Sequence, residues 1–322
     1  MQEDFFIFTP QTKCNQTIII IEFYKFYTNP CRLFGFAELV KGINSTTTNR
    51  KDNIMQRTYR ERKYTCGDYI EVAIYPVYTQ ERGRGKRKKP TTEIQKRLNH
   101  RHATDRLRRL LHTNFNEKDL FVTLTFEDDR LPETVADCQR AVQNFLRRVK
   151  RKYANAGLEP KYIYIIEYGE EHQRLHAHLV ISEGLGRDEL TALWGQGIVS
   201  ADKLRFENDG LTALAVYLTK GKDDEGDRLT FKRWCGSRSL EKPTITERDG
   251  RISHKKMVAF CERDSDSAIY LETHYNGFET VENSLDYCED TYGGLYLTAL
   301  LRRMKPTKKD LPFLTSPDWL EF

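Results

Sequence analysis

Two histidines two residues apart, His176 and His178, lie in Leu175-His176-Ala177-His178-Leu179, a run whose apolar residues alternate as they do in a half-buried strand. Side chains two apart on a strand leave from the same face, so the two imidazoles point together and make half of a metal site. A second apolar run, Tyr164-Ile165-Ile166-Glu167-Tyr168, precedes them across a short link. If the two strands form a hairpin with a tight turn centred on Glu171 and His172, paired residue numbers sum to 343. That register sets Glu167 opposite His176 and Ile165 opposite His178. Directly paired residues share a face, so a carboxylate and two imidazoles converge. Two histidines and one carboxylate with positions left open suit a divalent ion that also binds substrate, Mg or Mn among them, and not a closed structural zinc site. A differently built turn would bring Glu170, Glu171 or Gln173 to the third position instead.

A second group with chemical use follows downstream in Tyr217-Leu218-Thr219-Lys220. On a helix, positions i and i+3 place the phenol and the ammonium on one side, beside the apolar stripe of Leu211, Leu214, Ala215 and Leu218. A tyrosine hydroxyl titrates near pH 10, so it attacks only a strongly polarised centre or with help in losing its proton. A metal on a scissile phosphate meets the first need, and Lys220 can offset developing charge. Read without the metal site, Tyr217 is one of seventeen tyrosines, for which packing is the ordinary role.

The elements that must position these groups read as follows. Cys66 to Val77 has the apolar content of a strand, and Glu81 to Pro90 is a Gly- and basic-rich loop leading to a helix over Thr92 to His112. Leu120 to Phe126 alternates, with Phe121, Thr123 and Thr125 on one face and Val122, Leu124 and Phe126 on the other. Thr134 to Tyr153 carries Val135, Cys138, Val142, Phe145, Leu146 and Val149 at the spacing of one buried helix stripe, and its other side is basic. Lys161 to Gly169 and Leu175 to Ile181 are strands, and Leu211 to Lys220 is a helix. The order β-α-β-β-α predicts an α+β sandwich, an antiparallel sheet covered by helices. Beyond Trp234 the pattern weakens: Cys235 to Lys255 is turn-rich, Ala268 to Tyr275 reads as a strand, and Gly294 to Met304 reads as a short helix. Three segments are expected: an N-terminal extension over 1–54, ending in a polar, linker-like run, a functional domain over 55–235, and an α/β C-terminal extension over 236–322.

Charge is distributed unevenly over the 322 residues, whose net formal charge is only +5. From Arg82 to Arg109 twelve Lys or Arg stand against two acids, Glu93 and Asp105. Such a stretch can neutralise a phosphate backbone in a salt-dependent way. Arg84, Lys86, Arg87, Lys88, Lys89 and Arg101 are the candidates there, joined by Arg147 and Arg151 on the basic side of the following helix. The dense apolar run Ile18 to Ile21 is far too short to span a membrane, so a cytoplasmic protein without a membrane partner is expected. Seven scattered cysteines with no C-x-x-C pair fit a reduced compartment and argue against a zinc-cysteine site. No G-x-x-x-x-G-K-[ST] loop is present, since Gly83-Arg84-Gly85-Lys86 lacks the spacing, so no nucleotide-driven motor is expected in this chain.

Three blocks together resemble the HUH endonucleases, in particular the rolling-circle replication initiators of single-stranded DNA phages and prophages similar to the filamentous-phage gene-two protein. Phe121-Val122-Thr123-Leu124-Thr125-Phe126 is similar to the first motif of that family, Leu175 to Leu179 to its histidine motif, and Tyr217 to Lys220 to its tyrosine motif. Trp234-Cys235-Gly236-Ser237-Arg238-Ser239-Leu240 resembles a stretch that follows in phage-type members. The resemblance runs from Met55 to about residue 305. It implies an RRM-like antiparallel sheet, a divalent metal on His176, His178 and an upstream acid, here Glu167, and attack by Tyr217 on one strand of origin DNA. The products implied are a 5′-phosphotyrosine and a free 3′ hydroxyl, with rejoining of the displaced strand later. Single-stranded or hairpin origin DNA, a host helicase and a DNA polymerase would be the partners, in the cytoplasm of a bacterial host. Ala177 replaces the bulkier residue of many relatives. Ala213, one turn before Tyr217, leaves a single tyrosine where some members have two. A transposase or relaxase would use the same chemistry, and a non-catalytic RRM-like nucleic-acid-binding protein would account for the basic stretch but not for the convergence of Glu167, His176 and His178.

Overall fold

A computed structural model describes residues 58–77, 92–169, 174–220, 234–262, 264–288 and 294–305. The chain divides into two units, Met1–Arg50 and Lys51–Phe322, and all described residues lie in the second. They form two antiparallel five-stranded sheets and six helices, an α+β fold of RRM-like character.

The sheet that carries the candidate site has the order β6-β3-β5-β4-β7, formed by β3 (Leu120–Leu124), β4 (Tyr162–Tyr168), β5 (Leu175–Ile181), β6 (Val199–Lys203) and β7 (Cys235–Gly236). Period-2 alternation divides its apolar residues between two cores. On one face, Val122, Leu124, Tyr162, Tyr164, Ala177, Leu179 and Ile181 pack against helices α2 (Val135–Asn155) and α3 (Arg187–Trp194). The α2 stripe predicted from sequence, Cys138, Val142, Phe145, Leu146 and Val149, is buried there. The Thr134 hydroxyl accepts the Asp137 N–H at 3.2 Å and caps its start. Gly157, at φ 70, lets the chain leave the far end in the left-handed region. Trp194 is wholly buried and its indole N–H donates to the Thr125 carbonyl at 2.7 Å, fixing α3 beside β3.

The opposite face presents Phe121, Ile163, Ile165 and Val180 to helices α1 (Thr92–Asn114) and α4 (Thr212–Thr219), through Leu107, Leu111, Leu211, Ala215 and Leu218. The odd residues of β4 and the even residues of β5 lie on this face, and so do Glu167, His176 and His178.

The second sheet has the order β8-β1-β2-β10-β9 and joins β1 (Thr58–Cys66) and β2 (Tyr69–Val77) to β8 (Thr244–Asp249), β9 (Phe278–Cys288) and β10 (Gly294–Arg303). Helices α5 (His254–Glu262) and α6 (Asp264–His274) cover one face, with Met257, Phe260 and Leu271 on Tyr59, Ile70, Val72 and Ile74. Pairing of β1 with β8 and of β2 with β10 carries residues on either side of position 235 into one sheet.

Several local readings are corrected here. The strand expected over Cys66–Val77 is the second arm of a hairpin: Cys66 pairs with Tyr69, and Gly67 takes φ 61 in the two-residue turn. Its first arm hid behind charged residues that are paired across strands, Arg60 with Asp249 and Arg62 with Glu247. Residues 268–275, read as a strand, belong largely to α6, where Ser267, Leu271 and Tyr275 are buried at helical spacing. Residues 294–304, read as a helix, form β10, whose Leu295, Leu297, Ala299 and Leu301 line one face. Its Leu- and Ala-rich composition favours a helix locally, and two neighbouring strands override that preference. Residues 1–54, Arg84 to Lys89, Glu170 to Gln173 and the tail from Pro306 lie outside the described residues. Among the described residues no helix is long and apolar enough to cross a membrane.

Candidate metal centre

The β4–β5 register is the one the sequence predicts, with Glu167 opposite His176 and Ile165 opposite His178. The Gly169 N–H donates to the Arg174 carbonyl at 2.9 Å and carries the same register to the edge of the turn. Arg174 also binds the Phe126 carbonyl at 2.9 Å and pairs with Asp128, which ties the hairpin end to the segment after β3.

The side chains meet. Glu167 Oε1 lies 2.8 Å from His178 Nε2 and 3.2 Å from His176 Nε2, and the two imidazole nitrogens are 3.2 Å apart. One ligand atom from each residue falls within 4.8 Å of the other two, so a single ion could be held by all three. Burial pushes the Glu167 carboxyl upward, but hydrogen bonds from His176 and His178 and their charge outweigh it and hold the group down at about 2. Two imidazole nitrogens and an ionised carboxylate oxygen, all turned to one point, form a donor set that fits a divalent cation.

His178 is the more enclosed histidine, 3% exposed. Thr123, directly opposite it on β3, places Oγ1 3.1 Å from His178 Nδ1, and the Phe121 ring stacks on the imidazole at 5.2 Å. His176 Nδ1 lies 3.3 Å from the Arg174 carbonyl. Tyr217 comes from the covering helix, its hydroxyl 3.2 Å from His178 Nε2 and its ring edge-on to the imidazole.

Helix α4 is held firmly enough to aim that phenol. Leu211, Ala215 and Leu218 are buried against the sheet, the Leu211 N–H donates to His112 Nε2 at 2.9 Å, and the hydroxyls of Thr219 and Thr104 are 2.8 Å apart, joining α4 to α1. Residues 119–222 match the replication-associated protein family of ORF2 and the gene-two protein. The segment matched to that replication family runs from the residue before β3 to just past α4 and contains Glu167, His176, His178 and Tyr217. No curated protein and no solved structure matches the chain.

Other candidates are placed less directly. Lys220 does not continue α4 within the family-matched segment: its N–H closes a short bond to the Tyr217 carbonyl at 3.2 Å, and its backbone turns away at ψ 148. Arg101 is exposed on α1. Arg147 and Arg151 are exposed on α2, which covers the face opposite Glu167, His176 and His178, so they are not gathered round the site. Tyr168 is 38% exposed, but alternation from Glu167 turns it to that same opposite face. Cys235 and Gly236, from the phage-type stretch, form β7 and pair with Tyr164 and Ile163, bracing the strand that carries Glu167.

Sequence reasoning did not single out Thr123, Phe121, Thr104 or His112. Alternation had placed Phe121 and Thr123 on a common face. Which strand lies beside β5 is a tertiary fact that this local pattern does not contain.

Proposed function

We propose that this protein is a replication initiator that nicks one strand of origin DNA through Tyr217. The observation that carries the reading is the Tyr217 hydroxyl 3.2 Å from His178 Nε2, inside a cluster that already joins Glu167, His176 and His178. The match of residues 119–222 to a replication-associated family supports the same biological setting.

Glu167, His176 and His178 would hold a divalent cation, Mg or Mn. When bound, it supplies Lewis-acid polarisation of a phosphate oxygen. Tyr217 Oη forms a bond to phosphorus as the bond to the 3′ oxygen breaks. The phenol proton passes to solvent and the departing oxygen takes one up, leaving a 5′-phosphotyrosine and a free 3′ hydroxyl. One phosphodiester is exchanged for another, so the displaced strand can be rejoined without ATP. Lys220, next to the helix end, would balance charge on the phosphate, and the basic residues Arg84, Lys86, Arg87, Lys88, Lys89 and Arg101 would hold the flanking backbone. Arg147 and Arg151, on the reverse face, would contact DNA that extends beyond the site. Strand separation and synthesis fall to a host helicase and polymerase.

The test is a single-stranded origin oligonucleotide incubated with protein and Mn²⁺ and resolved in SDS. A protein-DNA adduct is expected from the wild type and none from Tyr217→Phe; an equal adduct from the variant would remove Tyr217 as nucleophile. In the same series Glu167→Ala should weaken Mn²⁺ binding at least ~10-fold. Unchanged affinity would move the third ligand to Glu170, Glu171 or Gln173.

A further inference from the structure

We propose that Thr123 is a positioning residue for the metal centre, fixing the proton of His178 on Nδ1 so that Nε2 is presented as a ligand. The inference rests on the metal-site reading above and adds a residue to it.

An imidazole that ligates through Nε2 carries its remaining proton on Nδ1, and that proton needs an acceptor when the ring is buried. His178 is buried, and the atom facing its Nδ1 is Thr123 Oγ1 at 3.1 Å. The contact follows from the sheet, because Thr123 and His178 are directly paired on adjacent strands and directly paired residues share a face. The ring can turn about its bond to Cβ, which would exchange Nδ1 for carbon. Thr123 on one edge and the stacked Phe121 ring on its face oppose that rotation. With the ring so held, Nε2 is turned to Glu167 Oε1 at 2.8 Å and to His176 Nε2 at 3.2 Å, and a cation bound there would take the place of the proton that Nε2 shares with Glu167.

The two histidines are supported by different means. His176 has a backbone carbonyl, that of Arg174, at its Nδ1, a partner that no side-chain substitution removes. His178 relies on a hydroxyl, so its support depends on the residue type at position 123. Valine at this position keeps the shape and the strand preference of threonine but removes the acceptor. Serine keeps the hydroxyl and loses only a methyl group.

The experiment is a Mn²⁺ titration of the full chain, with free Mn²⁺ counted by electron paramagnetic resonance and folding monitored by thermal melting. Thr123→Val should bind Mn²⁺ about 10-fold or more weakly than wild type, and Thr123→Ser should stay within about 2-fold. Val binding as tightly as wild type would overturn the assignment, and so would Ser binding as weakly as Val, which would mark a packing role. If Thr123→Val does not fold, Thr123→Ala takes its place with the same two outcomes. A wild-type protein that binds no Mn²⁺ would overturn the metal-site reading itself, and with it this inference; wild-type binding with an indifferent Thr123→Val would overturn this inference alone.

Discussion

The hydroxyl of Tyr217 and Nε2 of His178 lie 3.2 Å apart across a separation of 39 residues, one carried by a helix and the other by the sheet that the helix covers. Their proximity depends on α4 lying flat on the strands, which Leu211, Ala215 and Leu218 secure by burial. The phenol thus reaches the Glu167, His176 and His178 cluster from a different element than the strands that carry those three residues.

That separation of roles can be measured. Tyr217→Phe keeps the ring and its edge-on packing on His178, so Mn²⁺ affinity should remain within about 2-fold of wild type while adduct formation falls by on the order of 10³-fold or more. Parallel loss of both would show that the phenol supports the metal site and would leave the nucleophile unassigned.

The β4–β5 hairpin was legible in the sequence because it is local. A link too short to wander fixes the sum of paired residue numbers, and the resulting register brings Glu167 to His176. The α2 stripe was legible for the same reason. The placement of Tyr217 needed the resemblance to a known family, since nothing local says that α4 returns to the β5 face. β10 and α6 were read in the wrong class because distant strands and buried faces outweigh the preferences of short apolar runs. β8 has no buried residue, so no alternation announces it, and its pairing with β1 is written in cross-strand charges instead.

Placement of Arg147 and Arg151 on the reverse of the sheet leads to a second prediction. Arg147→Gln/Arg151→Gln should leave adduct formation on a short strand, just long enough to fill the site, within about 2-fold of wild type. On longer origin DNA the same variant should bind more weakly, and the slope of log affinity against log salt should become shallower by about 1.4 to 1.8. Filter binding between low and moderate salt checks this. An unchanged slope would remove the α2 arginines from the DNA contact.

Glu71, on β2, is buried and receives Arg108 at 2.8 Å and Arg109 at 2.6 Å, both from α1. Burial raises its carboxyl, but the two guanidinium groups outweigh this and hold it below the ordinary carboxylate range. Arg109 also lies over the Tyr64 ring at 3.7 Å. The same helix packs Leu107 and Leu111 against the sheet that carries Glu167, His176 and His178, so this ion cluster fastens one sheet to the helix that covers the other. Glu71→Ala removes the carboxylate that Arg108 and Arg109 share, leaving Arg108 with Asp105 at 3.3 Å, and should lower stability by about 3–5 kcal/mol in urea unfolding. Asp249→Ala, which breaks the exposed pair with Arg60, should leave the urea midpoint nearly where it is.

The last prediction concerns two buried groups that should give opposite pH dependence. Burial pushes His112 down to about 4, against the nearby Glu71 carboxylate, while its Nε2 accepts the Leu211 N–H. A histidine held neutral contributes stability that is present above about 6.5, where the unfolded chain is also neutral, and is lost as pH falls from 6.5 towards 4. Asp209 is displaced the other way: burial, reinforced by Glu282, pushes it up to about 6, and its Oδ2 has no hydrogen-bond partner among the described residues. A carboxyl held protonated contributes stability that is present below about 3.8 and is lost as pH rises from 3.8 to 6. Each displacement corresponds to at most about 3 kcal/mol, so over pH 4 to 6 the two slopes largely offset one another in the wild type. Asp209→Asn removes one slope, and its stability relative to wild type should fall progressively as pH is lowered from 6 to 4. His112→Asn removes the other, and its stability relative to wild type should rise over the same interval. Urea midpoints of the three proteins at pH 4, 5, 6 and 7 test both signs, and parallel curves would show that neither group titrates differently in the folded chain.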